Sequence, residues 1–284
     1  MSAEPGAAVP PVPSVLSLRT ADLDEARWAI AETFYASRID QLSRDDDLGA
    51  CFDVVRFGAV TVGEVGFAAE LRLRFGELGA YHVDVPLSGS IQWRQGAREP
   101  RTTTPDRAGV FQPDGVTTID RWSGGCRLLA VKIRTTDLEQ HLQHLLGRPV
   151  RTPVRFAPDL DVSRGPGLGW ARLVRTAVRD IQDAGELMRQ PLVAAPLQEA
   201  LLSGLLLAAD HPHREELTQP SAPAAPPTAR RPSSARWTPS RGSRSIPSTP
   251  PSWPPSHGSA RGGSRRGSAG TSACRRWPIC ATYG

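Results

Sequence analysis

The sequence predicts a mainly β domain with added helices: an antiparallel β-barrel or double-sheet roll, then about three α-helices, then a disordered tail rich in Arg, Pro, Ser and Gly. Seven or eight short segments of alternating polarity, separated by turn residues, predict the roll at about residues 50–134. The apolar period becomes that of a helix at about residues 135–210. We therefore expect one folded domain at 16–217, with disordered residues 1–15 before it and a disordered tail at 218–284 after it.

An amphipathic helix is predicted ahead of the roll, in the segment "TADLDEARWAIAETFYAS". Thr20 is the predicted N-cap, and acidic residues in the first turn suit the positive end of a helix dipole. Ala26, Ile30 and Phe34 then follow at intervals of four residues, which places them on one face.

The strands are predicted from alternation of apolar and polar side chains. In "ELRLRFG" the apolar residues alternate with Arg, and in "YHVDVPL" Val83 and Val85 alternate with His82 and Asp84. This pattern predicts one buried and one solvent-exposed face. Further strands are predicted at 53–62 and in "SIQWRQ", "AGVFQP", "VTTIDRW" and "RLLAVKIR", between turn signals such as "SGS", "PDG" and "SGG".

Three helices are predicted after the roll. The first has capping-box spacing at Thr136 and Glu139 and ends at Gly147 and Pro149. Its apolar stripe consists of Leu138, Leu142, Leu145 and Leu146. The second carries apolar residues at helical spacing from Trp170 to Ile181, and the third runs from about Pro191 to Ala209.

The net charge of +5 hides a division of the chain. Residues 1–217 carry 24 Lys and Arg against 29 Asp and Glu, a net charge of −5, whereas residues 218–284 carry ten Arg and no acidic residue, a net charge of +10. The four Cys show no CxxC spacing, which is typical of a reduced protein without a disulfide framework or zinc site. The N-terminus lacks signal-peptide features, and the apolar run "ALLSGLLLAA" is about half the length needed to cross a bilayer. We expect a cytoplasmic protein without a membrane anchor.

No constellation of residues predicts catalysis. A metal-dependent barrel enzyme needs two or three His and a carboxylate from neighbouring strands, but only His82 lies in the predicted strands. His141 and His144 are more typical of a solvated helix face, and His211 and His213 of a helix C-terminus. GxSxG, P-loop and GxGxxG motifs are missing from the sequence. We expect no cofactor, no metal and no enzymatic activity.

A closed roll with aromatic and polar strand residues is a usual place for a small ligand. The candidate ligand-binding residues are Tyr81, Trp93, Arg94, Phe111, Gln112 and Trp122. Packing in the core or at a sheet edge is the alternative for each of them, and Arg94 has the further alternative of an exposed strand position.

The segments "YHVDVPLSGSIQWRQG", "RAGVFQPD", "CRLLAVKIRTTDLEQHLQHLLGRPV", "VRFAPDLD" and "PLQEALLSGLLLAADHPHREEL" follow one another over about 200 residues. Together they resemble the N-terminal sensing domain of AraC-type transcription regulators. The resemblance implies a cupin-like barrel that binds a small effector, helices that form a homodimer, and a C-terminal domain with two helix-turn-helix motifs that binds promoter DNA. It implies a regulator rather than a catalyst.

The helices that follow the barrel are the expected dimer interface. The apolar residues that we assign to it are Leu138, Leu142, Leu145, Leu201 and Leu205. Burial of the last helix within its own domain is the alternative.

The tail does not contain the DNA-binding helices that the resemblance implies, because Pro and Gly interrupt every window. Since Trp is encoded only by TGG, an Arg276 codon ending in A followed by Trp277 contains ATG in a shifted frame. Read in that frame, "SRRGSAGTSACRRWPICATYG" is compatible with AEGFRRHVGLSPMAYLRHVR, which is similar to the second helix-turn-helix of AraC-type proteins. We interpret the tail as that domain read out of frame after a shift between about Thr218 and Arg236. A frameshift in the gene and a sequencing error would both produce it.

Two alternatives remain. The Arg-rich tail is also typical of a segment that binds nucleic acid through phosphate contacts, with an affinity that falls as salt rises. A cupin-like enzyme is disfavoured by the missing metal ligands. Promoter DNA is thus expected for the family but not for this chain.

Overall fold

The computed structural model describes residues 14–42, 47–182 and 190–218. The chain divides into two compact units, residues 1–224 and 225–284, and every described residue belongs to the first. Of the residues predicted to be disordered, 1–13 lie outside those ranges, whereas Ser14 and Val15 belong to a strand. The tail predicted to be out of frame also lies outside those ranges beyond Thr218.

Twelve strands form two antiparallel sheets within the described residues. In chain order they are β1 (Ser14–Thr20), β2 (Ser37–Gln41), β3 (Ala50–Phe57), β4 (Val60–Gly66), β5 (Leu71–Phe75), β6 (Ala80–Ser88), β7 (Ile91–Gln95), β8 (Arg101–Thr103), β9 (Arg107–Phe111), β10 (Thr117–Trp122), β11 (Arg127–Arg134) and β12 (Asp159–Asp161). One sheet has the order β1-β3-β4-β11-β6-β9-β12, and the other has the order β2-β5-β10-β7-β8. The predicted mainly β, cupin-like double-sheet roll is confirmed, and the predicted strand at 53–62 is a hairpin that turns at Gly58.

The predicted helix is present as α1 (Leu23–Thr33), but it lies between β1 and β2 rather than ahead of the roll, and its N-cap is Asp22 rather than Thr20. The Asp22 carboxylate accepts hydrogen bonds from the backbone N–H groups of Asp24 and Glu25, at 2.7 and 2.9 Å. Thr20 still belongs to β1, and its hydroxyl contacts the Glu25 carboxylate instead.

Four further helices are α2 (Thr135–Leu146), α3 (Gly165–Gln182), α4 (Pro191–Ala208) and α5 (Arg214–Thr218). The end of α2 is as predicted, since Gly147 takes the left-handed conformation with φ of 65°. The capping box predicted at its start is wrong: Arg134 is the N-cap residue, and no side chain caps the first turn.

Two hydrophobic cores lie on opposite faces of the seven-stranded sheet. The inner core fills the space between the two sheets, with large side chains such as Phe52, Leu73 and Trp93. The outer core joins the other face of the seven-stranded sheet to α2, α3 and α4, with side chains such as Val131 and Leu205. The central strands of this sheet are therefore covered on both sides.

This arrangement corrects the prediction that one face of β6 is exposed to solvent. Val83 and Val85 face the outer core, whereas His82 and Asp84 face the interior of the roll and are only 8% and 3% exposed. Successive side chains of β6 therefore alternate between two buried environments, the outer core and the interior of the roll. On β5 the prediction holds, because Leu71 is buried while Arg74 lies on the solvent side.

Helix α4 is longer than the ten-residue run considered above. Its 18 residues have a mean hydropathy of 1.5, which meets the length and composition of a membrane span, although core helices of soluble proteins meet the same criteria. Leu201, Leu202, Leu205 and Leu206 are all buried in the outer core. These contacts are those of a core helix.

Candidate ligand-binding site

A small cavity lies inside the roll, between the two sheets and the end of α1. Its volume is about 50 Å³, which is room for a few water molecules. Aromatic and aliphatic side chains form most of the wall, and they include Phe34, Phe67, Phe75, Phe111, Ile119, Trp122 and Leu128. The interior is thus an apolar pocket that is smaller than a typical drug-sized site.

The C-terminal end of α1 closes one side of this cavity. Ile30, Phe34 and Tyr35 all contribute to the wall. Lys132 of β11 fixes this end, because its ammonium donates a hydrogen bond to the Phe34 carbonyl and lies 4.3 Å from the centre of the Tyr35 ring. Burial lowers the pKa of Lys132, with a smaller contribution from the positive charge of Arg56.

Three polar side chains form a chain of contacts within the apolar wall. His82 Nε2 lies 2.9 Å from Asp84 Oδ1, and the Tyr35 hydroxyl lies 3.4 Å from His82 Nδ1. The His82 ring also makes edge-on contacts with the rings of Phe34 and Phe111, with centroids 5.7 Å apart in both cases. Burial raises the pKa of Tyr35 well above its ordinary value, and the negative charge of Asp84 adds to this effect. Tyr35 is therefore a neutral hydroxyl at physiological pH.

Three of the predicted ligand-binding residues lie in this region. Phe111 and Trp122 contribute directly to the cavity wall. Trp93 packs against Phe111, with ring centroids 4.1 Å apart, and its indole N–H donates to the Thr103 hydroxyl at 2.8 Å. Trp93 thus supports the wall from behind rather than forming it.

The other three predicted residues lie elsewhere. Tyr81 belongs to the outer core, where its hydroxyl donates to the Val154 carbonyl at 2.8 Å. The Gln112 amide donates to the Phe156 carbonyl at 3.0 Å, which ties the strand to a loop rather than to the cavity.

Arg94 points away from the interior of the roll. Its side chain is 53% exposed and pairs with Asp120 at 3.3 Å. The exposed strand position raised as the alternative for Arg94 is the one that the structure shows.

The structure also places the leucines predicted at a dimer interface. Leu138, Leu142, Leu201 and Leu205 are fully buried in the outer core of their own domain, so this prediction needs correction for those four. Leu145 differs, because it is 43% exposed. A helix stripe predicts that a face is buried, but it does not tell whether the partner is the same chain or another copy.

The three polar residues of the site, Tyr35, His82 and Asp84, were not among the predicted ligand contacts. Tyr35 follows an amphipathic helix, and its place at the cavity depends on how α1 packs onto the roll. Asp84 lies in an alternating pattern typical of a half-exposed strand. This pattern predicts that its side chain is exposed to solvent, unless both faces of the strand are known to be covered. Within the described ranges, no group of three or more His, Cys, Asp and Glu is arranged to hold a metal ion.

Comparison with known proteins gives the site its context. Residues 26–207 match the family of AraC-binding-like domains. The probable thc operon regulatory protein of Rhodococcus erythropolis is 32% identical over 208 residues, which make up 72% of this chain and 62% of that protein. The chain thus spans less than two thirds of the length of this relative.

Solved structures show lower similarity. The AraC-like transcriptional activator CuxR aligns with 9% identity and a TM-score of 0.48, over 69% of this chain and 72% of that chain. A mutant of Bacillus subtilis oxalate decarboxylase aligns with 12% identity and a TM-score of 0.26, over 34% of this chain and 29% of that chain. On the family match, the chain belongs to the AraC-binding-like domain family and contains the N-terminal domain of an AraC-type transcription regulator.

Proposed function

We propose that this domain senses a small effector, which binds in the cavity inside the roll. The observation that carries the proposal is the chain of Tyr35, His82 and Asp84 within an otherwise apolar wall. Burial of a carboxylate and an imidazole costs free energy, and hydrogen bonds from a ligand would offset part of this cost. A ligand-binding role for these residues fits a domain of a regulator family.

The proposed ligand contacts combine these three residues with Phe111 and Trp122, and Trp93 supports Phe111 from behind. The domain acts by binding and not by catalysis, because a regulator needs only that the effector change the stability of one conformation. We place it in the cytoplasm, where such regulators meet both effector and DNA.

The test is a thermal-shift screen of small molecules with a cavity-blocking variant. Ala130 lies in the cavity wall, so Ala130→Leu should remove stabilisation by any compound that binds there. Gln92→Leu is the matched control, because Gln92 is exposed on the outside of the other sheet. Compounds that stabilise the wild type and the Ala130→Leu variant equally would bind elsewhere and contradict the proposal.

We also propose that the domain forms a homodimer through its helical side. Exposed apolar residues on this side include Leu145 of α2 and Leu192 and Leu207 of α4, which are 43%, 90% and 39% exposed. Leu145→Glu should give a monomer on light scattering that still unfolds in one cooperative transition, at a lower temperature than the dimer because the stabilising association is lost. An unchanged mass in both the Leu145→Glu and Leu207→Glu variants would refute this interface.

For the tail at 218–284 we propose the out-of-frame origin described above, which leaves the chain without specific promoter recognition. The supporting observations are the re-read sequence and the charge of +10 without an acidic residue. Resequencing the coding DNA from the Thr218 codon onward tests it, since another frame should continue as helix-turn-helix sequence. If no frame does, the alternative of a nucleic-acid-binding tail is favoured, and truncation at Leu217 should then abolish DNA retention at low salt.

A further inference from the structure

The carboxylate of Asp84 has one side-chain hydrogen-bond partner among the described residues. Its Oδ1 lies 2.9 Å from His82 Nε2, which leaves acceptor capacity on the second oxygen. The residue is 3% exposed, and it contributes to the cavity wall. A hydrogen-bond donor on a ligand in this largely apolar cavity would stabilise the carboxylate.

The charges around the cavity favour an uncharged ligand. Lys132 lies directly opposite His82 in the β6–β11 pairing, and Asp84 lies two residues further along β6. The Lys132 ammonium also lies over the Tyr35 ring, so it places a positive charge beside the cavity that Asp84 lines. An anionic ligand would meet the Asp84 carboxylate in a low-dielectric interior, and a cationic one would add to the charge of Lys132.

The rest of the wall favours a compact apolar body. The rings of Phe34, Phe111 and Trp122 surround the polar chain, and the cavity volume is about 50 Å³. An apolar ring matches these surroundings better than a sugar, which carries several hydroxyls without partners here.

Given the proposed effector binding in this cavity, we infer that the effector class is a compact, uncharged and largely apolar molecule that donates one hydrogen bond, from a hydroxyl or an N–H group, to Asp84. Tyr35 and His82 hold the carboxylate side of the cavity in place. The hydrogen bond fixes the orientation of the ligand, and the aromatic wall supplies most of the contact area.

Four one-ring probes of similar size test this inference on the full chain: phenol, toluene, benzoate and benzylammonium. Their Kd values are measured by ligand-detected NMR at neutral pH, with the wild type, Asp84→Asn and the cavity-blocking Ala130→Leu variant. Asp120→Asn is the matched control, since this carboxylate lies outside the cavity and pairs with Arg94.

Phenol should bind the wild type at least about tenfold more tightly than toluene, because toluene leaves the Asp84 carboxylate without a donor. Benzoate and benzylammonium should both bind more weakly than phenol. Asp84→Asn should bring the Kd values of phenol and toluene to within about threefold, because an amide is a neutral and weaker acceptor, whereas Asp120→Asn should leave their ratio unchanged. If Asp84→Asn fails to fold, the order of the four Kd values for the wild type is sufficient to test the inference.

Equal binding of phenol and toluene that Ala130→Leu abolishes would overturn the role of Asp84 and leave effector binding in the cavity intact. Tightest binding of benzoate or benzylammonium would overturn the uncharged class in the same way. Binding that persists in Ala130→Leu, or no binding of any probe, would overturn both this inference and the proposed cavity site.

Discussion

Tyr81 is predicted from the sequence as a ligand contact, but the structure places it in the outer core. The substitution Tyr81→Phe tests which of these two roles the residue has. The Tyr81 ring is fully buried in the outer core and packs edge-on against Phe156, with centroids 5.3 Å apart. Its hydroxyl donates to the Val154 carbonyl at 2.8 Å, and it also lies 3.3 Å from the Glu139 carboxylate. Phe keeps the ring contacts and removes only the hydroxyl.

The expected cost follows from what the hydroxyl leaves behind. Val154 is buried, so its carbonyl would lose this donor where water has little access, at a cost of about 1–3 kcal/mol in the free energy of unfolding. For a domain of this size, each kcal/mol lowers the unfolding temperature by roughly 2–4 °C. We therefore expect a decrease of about 4–8 °C for a cost of ~2 kcal/mol.

Tyr35→Phe is the matched substitution, since it removes the same atom from the cavity. The Tyr35 hydroxyl makes only a long contact of 3.4 Å with His82, so its loss should cost less stability than Tyr81→Phe and should change the affinity for phenol instead. Calorimetry and NMR titration of both variants give the two readouts. A weaker affinity with unchanged stability in Tyr81→Phe would refute the assignment of Tyr81 to the outer core.

Three further outcomes are expected. Leu205→Ala should lower the free energy of unfolding in urea by about 2–5 kcal/mol, because Leu205 is fully buried. Leu145→Ala should change this free energy by less than about 0.5 kcal/mol, because Leu145 is exposed. Equal effects of the two substitutions would contradict the assigned burial. Gly58→Ala should cost about 1–2 kcal/mol, because the residue has φ of +56° and a Cβ would overlap Gln198 Oε1, which accepts the Ala59 N–H. Burial lowers the pKa of His211, so the unfolded state binds more protons and stability should fall as the pH drops through about 6.5; an equal pH slope in His211→Gln would count against this.

Most of the strands could be predicted from sequence because β5, β7 and β10 each place one face in the core and the other in solvent. Alternation of apolar residues with Arg or Gln then carries a direct signal, as at Leu71 and Leu73 beside Arg72. The short strands β8 and β12 have three residues each, which is too few for a period to be visible. The edge strand β1 is not among the predicted strands, and the predicted start of the domain at residue 16 falls inside its "SVLSLRT" segment.

The candidate site was predictable only in part, for a physical reason. Phe111 and Trp122 are large aromatic residues on strands, and such side chains lie in the interior of a roll more often than not. His82 and Asp84 are polar, so their alternation with Val83 and Val85 points to solvent when a strand is considered alone. The second face of β6 is buried because α2, α3 and α4 cover the sheet. The sequence pattern of the strand alone does not predict this coverage.

The burial of β6 on both faces also sets how this strand tolerates substitution. On a half-exposed strand such as β5, every second side chain faces solvent. Substitutions at those positions have little effect on stability, so tolerated substitutions recur with a period of two residues. On β6, Tyr81 and Val83 meet the helices while His82 and Asp84 meet the ligand cavity. Under the proposed effector binding, adjacent positions are subject to different selective pressures, fold stability at one and effector choice at the next. A change of effector would then need only single substitutions at His82 or Asp84, while the neighbouring residues keep the sheet attached to its helices.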